Sequence, residues 1–517
     1  MKGAVAAGHP LTAEAGAEVL AGGGNAVDAC IAAAFVSWVT ESTLTGPGAG
    51  GFMLVHHGRD RSSRVLDHFV TVPGLGSDGG APIEMDSVDI AYAPESTQVF
   101  RIGAASCAVP GAVAGLGVAH RRYATLPWRD LLQPAIRHAR FGVVITKAQA
   151  YLHAILDLIL RHTKAGAAIY GPQGERLLAG DRLVMTDLAA TMELLAERGP
   201  DEFYRGELAR EISRHLREHG GGVTERDLAD YRVIQRRPAR APFLGHELES
   251  NPPPSSGGLL LGLGARLLDR VGGVAGPPGS AEAMAQMVEL MRAQEEARDA
   301  SFAAGMRRGG LAKRLFDARA LEAAARRLRA IPPESVRGTT HISVVDARGN
   351  AASLTASTGS GSGVVVPGTG IQLNNMLGEF DLAPVGRSPR PGVRFTSGMG
   401  PSMVLRDGLP RLVVGSAGSM RLRGAIFQII VDVVGHGLGV EEAIARPRVH
   451  FDDPHVQCEG GNDPAELDRL AAWGYDLVRW RRRNLYFGGV AGVEFRADGT
   501  LAAAGDPRRG GHGLVVE

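Results

Sequence analysis

The residues best equipped for chemistry stand together at Gly338-Thr339-Thr340-His341. A threonine hydroxyl can act as a nucleophile. If Thr339 became a chain N-terminus, its α-amine would titrate near neutrality and could take the hydroxyl proton itself. Gly338 suits the cut that would free such a terminus, because a residue without Cβ tolerates the strained backbone of an N-to-O acyl shift. The plainer reading of Thr339 and Thr340 is two β-formers at the start of a strand. Residues 340–345 and 351–355 read as two strands joined by a turn containing Gly349-Asn350, which predicts a hairpin at the centre of a sheet. Ahead of it, 281–330 is helix-like and charged. Residues 331–338 (IPPESVRG) then carry two prolines and a glycine, which break the helix and mark an exposed connector.

Other elements must hold this hairpin. Helical spacing over 12–20 stops at Gly22-Gly23-Gly24, and Asn25 is placed to cap an apolar helix over 26–39. The run GPGAGGFMLV reads as a glycine turn feeding a strand, since no Lys-Ser/Thr follows to complete a phosphate loop. A strand is expected over 65–73 and an irregular or hairpin loop over 77–97. Helices follow at 132–139, 148–160, 187–197 (capped by Thr186) and 207–219, with Thr224 capping another. A strand over 243–249 leads into the stiff Asn251-Pro252-Pro253-Pro254-Ser255-Ser256 loop. Beyond the hairpin come short strands at 403–405 and 412–415 around Asp407-Gly408, a buried helix over 425–436, a shorter one over 467–473, and closing strands at 490–495 and 501–504.

Composition narrows the class. The 517 residues are 44% hydrophobic and 21% charged, as in a folded globular chain. With 56 basic and 55 acidic residues the net charge is +1, which implies no overall attraction to nucleic acid or anionic membrane. The arginine run at 479–483 reads as a solvated edge. Cys30, Cys107 and Cys458 are far apart and odd in number, suggesting neither a disulfide framework nor a zinc site. Adjacent His56 and His57 would face opposite ways in a strand, which disfavours a metal pair, and there is no GxSxG elbow. Met1-Lys2-Gly3 leads directly into AVAAGHPLTAEAGAEVL without a signal or membrane segment, so a cytoplasmic location is expected.

The segment TTHISVVDARGNAASLTAS, followed by GTGIQLNNMLGEFD, resembles the nucleophile region of the gamma-glutamyltransferase (gamma-glutamyl transpeptidase) family of N-terminal nucleophile (Ntn) hydrolases. Further similar blocks are AGGGNAVDACIAAAF, GPGAGGFMLV, PGAVAGL, GPDEFYRGELA, NPPPSSGGLLL, VVGSAGSMR and GDPRRGG. The resemblance implies an αββα four-layer α/β sandwich, two stacked and mainly antiparallel sheets flanked by helices. It also implies a large segment 1–338 and a small segment 339–517 that together build one body. Cleavage between Gly338 and Thr339 would make Thr339 the nucleophile, with the hydroxyl of Ser357 standing where relatives bond it with a threonine. Gly418 and Ser419 match the pair whose backbone N–H groups receive the oxyanion.

Substrate positions carried over by the resemblance are Asn375, Glu379, Ser397 and Gly398, with departures at Phe69, Gly359 and Met376. Phe69 replaces an arginine that binds a substrate carboxylate, and a phenyl ring offers only apolar contact. Gly359 replaces an asparagine, Met376 a Gln or Glu, and Glu379 an Asp that binds the substrate ammonium. Arg394 and Arg421 are the nearest cations in sequence that could take over as anchors, and either could equally be structural. His341 reads as a core residue, because the threonine amine already supplies a base.

The expected reaction is acyl transfer from a γ-glutamyl or related amide, through a Thr339 ester, to water or an amine, without metal or organic cofactor. The expected partners are a small-molecule substrate and the two subunits of one precursor, which could associate further as oligomers of heterodimers. The departures leave two alternatives open. One is a cephalosporin-acylase-like amidohydrolase with a non-glutamyl acyl group, and the other is an uncleaved binding relative without catalysis.

Overall fold

In the computed structural model the described residues are 1–77, 84–93, 96–298, 300–326, 339–379, 390–418 and 421–517. Gly338, Ser419 and the connector 331–338 lie outside them, as do parts of the 77–97 loop.

Two antiparallel sheets face each other. The first has seven strands in the order His512–Val516, Gly3–Ala7, Thr340–Asp346, Ala351–Ser357, Gly50–His57, Ser62–His68 and Ile234–Arg236. The second has six, ordered Leu501–Gly505, Gly489–Phe495, Leu409–Ala417, Ser402–Arg406, His246–Ser250 and Ala239–Phe243. The predicted hairpin is present and near the middle of the first sheet, with Val345 opposite Ala351 and Thr340 opposite Ala356. Strands from before and after position 339 are interleaved in that sheet, so Gly3–Ala7 is hydrogen-bonded on one side to His512–Val516 and on the other to Thr340–Asp346.

Side-chain alternation decides what each face does. On the Thr340–Asp346 strand, Ile342 and Val344 point outward into a core shared with helices. Val345 points inward, joining Phe52, Leu54, Met403, Val413 and Val493 between the sheets. The outer face of the first sheet is covered by the Ala26–Thr40 helix, of which every residue is buried. That helix starts on a capping box in which Asn25 accepts from the Val27 and Asp28 amides and Asp28 reaches back, an arrangement worth about 1 kcal/mol. The outer face of the second sheet packs on helices Gly257–Arg270, Ala281–Glu296 and Arg421–Ile430. The order of layers is helix, sheet, sheet, helix, as expected for the αββα class.

Several local expectations change. The stretch 243–249 is not one strand. Leu244 and Gly245 take φ of 47° and 77° and turn the chain between Ala239–Phe243 and His246–Ser250. A leucine in a left-handed turn carries no turn signature, so the pattern misses it. Thr186 is the first residue of its helix rather than the cap, a position held by Met185 without a side-chain bond. The helix expected over 148–160 divides at Leu156 into Lys147–Ile155 and Asp157–Leu160. The one expected over 425–436 starts at Arg421 and finishes in a π-turn, Val431–Gly435. The strand expected over 65–73 ends at His68, after which Thr71 bridges to Val109 and Arg394. Within 77–97, Asp86–Ala93 pairs with Ser96–Ile102.

Candidate active site

Thr339 stands immediately before the central strand and is 3% exposed. Thr340 faces outward, and its hydroxyl donates to Glu41 Oε2 at the end of the Ala26–Thr40 helix. Glu41 also accepts from Thr12 Oγ1 at 3.2 Å. Burial is the main force pushing the Glu41 carboxyl up to about 7, against the hydroxyl bonds and the charge of Arg509. Arg509 donates from Nη1 toward the Thr339 carbonyl oxygen at 3.5 Å. A pocket lined by Thr339, Thr340, Glu41, Ala417, Gly489 and Arg509 collects these groups.

Gly418 follows the Leu409–Ala417 strand on the opposite sheet. A Cβ there would lie 2.9 Å from Gly488 Cα and 3.5 Å from Arg509 Nη2, so Gly418 and Thr339 meet the same guanidinium. Ser357 occupies the register position across from Thr339, because Thr340 pairs with Ala356. Its Oγ accepts the Gly359 amide at 2.8 Å.

His341 behaves as the core residue the sequence suggests. Its Nδ1 is 2.7 Å from Thr355 Oγ1 and its Nε2 3.0 Å from Ser343 Oγ, while burial pushes its pKa down to about 3 and keeps the ring neutral. The ring fills the space of a missing side chain on the facing sheet, since a Cβ on Gly415 would come within 2.2 Å of His341 Cε1. Two sheets are thereby pinned together two residues beyond Thr339.

The substrate candidates form two groups. Asn375 Oδ1 accepts from the Ser360 amide at 3.0 Å, and its Nδ2 donates to Ser360 Oγ at 2.7 Å and to Arg101 O at 3.1 Å. Gly359 has φ of 75°, and a Cβ on it would meet Asn375 Oδ1 at 2.1 Å and Glu379 Oε1 at 3.0 Å. Gly359, Asn375 and Glu379 are therefore neighbours, and no side chain fits at 359 without moving the other two. Phe69 and Met376 belong instead to the apolar layer between the sheets. Phe69 is fully buried and stacks on Phe52 with ring centroids 5.5 Å apart, a pairing worth about 0.5–1.5 kcal/mol beyond its buried area. Ser397 accepts the Met399 amide on its Oγ at 3.1 Å, and its carbonyl accepts from the Ser256 amide at 2.8 Å, which binds it to the proline loop. At Gly398 a Cβ would meet nothing within 4 Å.

Neither arginine offered as an anchor is in a simple substrate-facing role. Arg394 pairs through Nε with buried Asp67 at 3.3 Å, and Nη1 donates to the Phe69 carbonyl and to Tyr231 Oη. Arg421 is 2% exposed and lies 3.7 Å over the Tyr486 ring. As expected for a strand, His56 is buried and bonded to Ser63 whereas His57 is exposed.

Three residues that hold the site together escape the sequence reading. Glu41 leaves a faint signal, because with Asp28 it supplies the only acidic charges in an otherwise uncharged run over 26–56. Arg509 lies in the quoted GDPRRGG block without a distinguishing mark. Asn374 clamps two glycine turns, donating to the Gly48 and Ala108 carbonyls at 2.9 Å each and accepting from the Ala108 amide at 3.1 Å.

A strand-opening threonine in a four-layer sandwich of this topology is characteristic of the Ntn-hydrolase class. The chain belongs to the gamma-glutamyltranspeptidase family, whose sequence profile matches residues 12–516. It is 32% identical to a glutathione hydrolase proenzyme of Escherichia coli (strain K12), over 98% of this chain and 90% of that protein. It is 33% identical to an acylase ACY 1 proenzyme of Pseudomonas sp. (strain SE83), over 100% of this chain and 94% of that one. The cephalosporin acylase of Bacillus halodurans shares the fold, with a TM-score of 0.86 at 24% identity over 100% of this chain and 96% of that chain. No helix among the described residues is long and apolar enough to cross a membrane.

Proposed function

We propose that this chain cuts itself between Gly338 and Thr339 and then transfers an acyl group from a γ-glutamyl or related amide, through an ester on Thr339, to water or an amine. The observation that carries this is the position of Thr339, which opens the central strand in one pocket with Ala417, beside Gly418 and Arg509. In the precursor the Thr339 hydroxyl attacks the Gly338 carbonyl, the C–N bond breaks to free the Thr339 amine, and water then hydrolyses the ester so formed, releasing the Gly338 carboxylate and restoring the hydroxyl. In turnover that amine takes the Thr339 hydroxyl proton and returns it to the leaving amine. The amides of Gly418 and Ser419 receive the oxyanion, and Ser357 Oγ orients the nucleophile. Segments 1–338 and 339–517 are the two subunits. The proenzyme names of the relatives support processing, and glutathione-type compounds are the first substrates to try. With Cys30, Cys107 and Cys458 buried as free thiols, a cytoplasmic setting suits the chain.

Intact mass under denaturing conditions, with N-terminal sequencing, tests the cut. A smaller fragment beginning at Thr339 is expected. A single 54.2 kDa chain that turns over amides equally well after Thr339→Ala would overturn the proposal.

A second reading concerns the acyl group. The ring of Phe69 is fully buried against Phe52, and Gly359 has no room for a substrate-facing side chain. Both favour an acyl group recognised without its α-carboxylate, as in an acylase. Turnover of γ-glutamyl-p-nitroanilide and of its des-carboxy analogue at comparable kcat/KM is expected under this reading, and strict dependence on the carboxylate rejects it.

A further inference from the structure

Self-cleavage raises a difficulty that turnover does not. Before the Gly338–Thr339 bond breaks, the nitrogen of Thr339 is an amide and cannot act as a base, so the precursor needs another acceptor for the hydroxyl proton. His341 is close in sequence, but both of its ring nitrogens are occupied by hydroxyls of the layer between the sheets.

On the outer side of the strand the situation differs. Glu41, 299 residues away in sequence from Thr340, accepts that residue's hydroxyl. It shares a pocket with Thr339 and is held by Thr12, whose Oγ1 is in turn 2.8 Å from Thr40 Oγ1. Its approach requires glycine at position 8, where a Cβ would come within 2.2 Å of Glu41 Oε2. This carboxylate is built into the base of the nucleophile strand rather than left over from a surface.

We propose that Glu41 is the positioning residue and proton reservoir for self-cleavage, acting on Thr339 through the Thr340 hydroxyl and the pocket both residues line. The proposal rests on the cleavage reading above. The Thr339 Oγ–H proton passes by way of the Thr340 hydroxyl, which gives its own proton to the Glu41 carboxylate, as Oγ bonds to the Gly338 carbonyl carbon. As the C–N bond breaks, the proton returns to the departing Thr339 nitrogen, so the step is neutral overall and needs no co-reactant. Once the α-amine is free it acts as its own base, and Glu41 is then dispensable for the transfer of protons in turnover.

Among the described residues, few charged and titratable groups face Glu41. Arg509 comes from the C-terminal segment, His9 from the start of the Pro10–Ala21 helix, and His153 from the Lys147–Ile155 helix that also brings Gln149 into the adjoining pocket. Burial is the main force holding both histidines at about 4, so they are neutral at pH 7. Glu41 is raised to about 7, the value that suits a base working at that pH. A titration of self-cleavage near neutrality therefore belongs to Glu41.

The test is the rate at which freshly translated full-length chain yields the Thr339 fragment between pH 5 and 9. Wild type is expected to quicken as pH rises through about 7. Glu41→Gln, which can still accept from Thr340, should slow cleavage by about 10²-fold, within the usual range for loss of a proton acceptor, and flatten the profile. Glu41→Asp should recover part of the rate, and Thr340→Val should repeat the Gln result with little change in shape. Thr340→Val also decides the matter if Glu41→Gln fails to fold. Wild-type rate and pH profile in either folded variant overturn the proposal. A wild-type chain that stays whole at every pH overturns the cleavage reading and the role of Glu41 with it.

Discussion

The two ends of the candidate site are built on different principles. Around Thr339 the chain uses polar groups: Thr340 to Glu41 and Arg509 to the Thr339 carbonyl reach across long stretches of sequence, and His341 bonds to Thr355 and Ser343 nearby. Around Phe69 and Met376 the chain uses apolar filling, and the nearby cation Arg394 is held by Asp67, Tyr231 and the Phe69 carbonyl. Hydrogen bonds with defined directions fix the position of a reacting atom, whereas filling sets only shape and dryness. Under the proposed function the first region would break the bond and the second would receive the acyl group, and the contrast suits that division of work.

The largest effect should come from the bond-breaking end. Thr339→Ala is expected to leave one uncut chain and to lower amide turnover by about 10⁴-fold or more, read by denaturing electrophoresis and p-nitroaniline release. At the other end, Arg394→Met takes a cation from Asp67, which is fully buried and keeps Arg236 at 2.8 Å and the Phe69 amide at 3.1 Å as partners. Breaking such a pair costs about 3–5 kcal/mol, and a fall of that size in unfolding free energy, read from urea denaturation, is expected. If stability instead holds while KM rises, Arg394 is a substrate anchor and the contrast between the two ends fails.

Gly415→Ala drives a methyl into the His341 ring and should cost about 1–3 kcal/mol by overpacking. Because the clash lies two residues from Thr339, a loss of self-cleavage rate should accompany the lower Tm.

Acid should produce the smallest and most general effect. His341 has a folded pKa near 3 against an ordinary 6.5, so the unfolded chain takes up the proton first and stability falls as pH drops from about 6.5 toward 3. The loss is on the order of 2 kcal/mol at pH 5, and His9 and His153 act in the same direction. Glu41 acts in the opposite sense: its folded pKa near 7 lies above the ordinary 4.5, so its contribution is complete below about 4.5 and is lost as pH rises through 7. Glu41→Gln should therefore raise Tm at pH 8 more than at pH 5, and His341→Gln should soften the acid limb.

Much of the fold is legible in the sequence because period-two patterning and turn residues are local. The hairpin of 340–357 and the closing strands around Asp498-Gly499 follow from such signals alone. The Leu244 turn is not legible, since nothing about leucine announces a positive φ. The site divides the same way. Thr339 can be singled out from neighbouring residues and the Gly359 departure from the family resemblance, but Glu41 and Arg509 matter through contacts made 299 and 170 residues away. Phe69 is an intermediate case. Its substitution is visible in the sequence, while the stack on Phe52 depends on where two strands come to lie.

The interleaving of Gly3–Ala7 between His512–Val516 and Thr340–Asp346 has a consequence for the fate of the molecule. Before the cut, folding is a first-order process within one chain. After it, each fragment lacks strands that the other supplies, so neither has a complete sheet of its own to fold into. Renaturation of the processed form should be second order, slow at low concentration and open to competition from aggregation, whereas an uncut Thr339→Ala chain should refold at a rate independent of dilution. Processing would thus give the protein a history, with a native state reached easily once and recovered with difficulty afterwards.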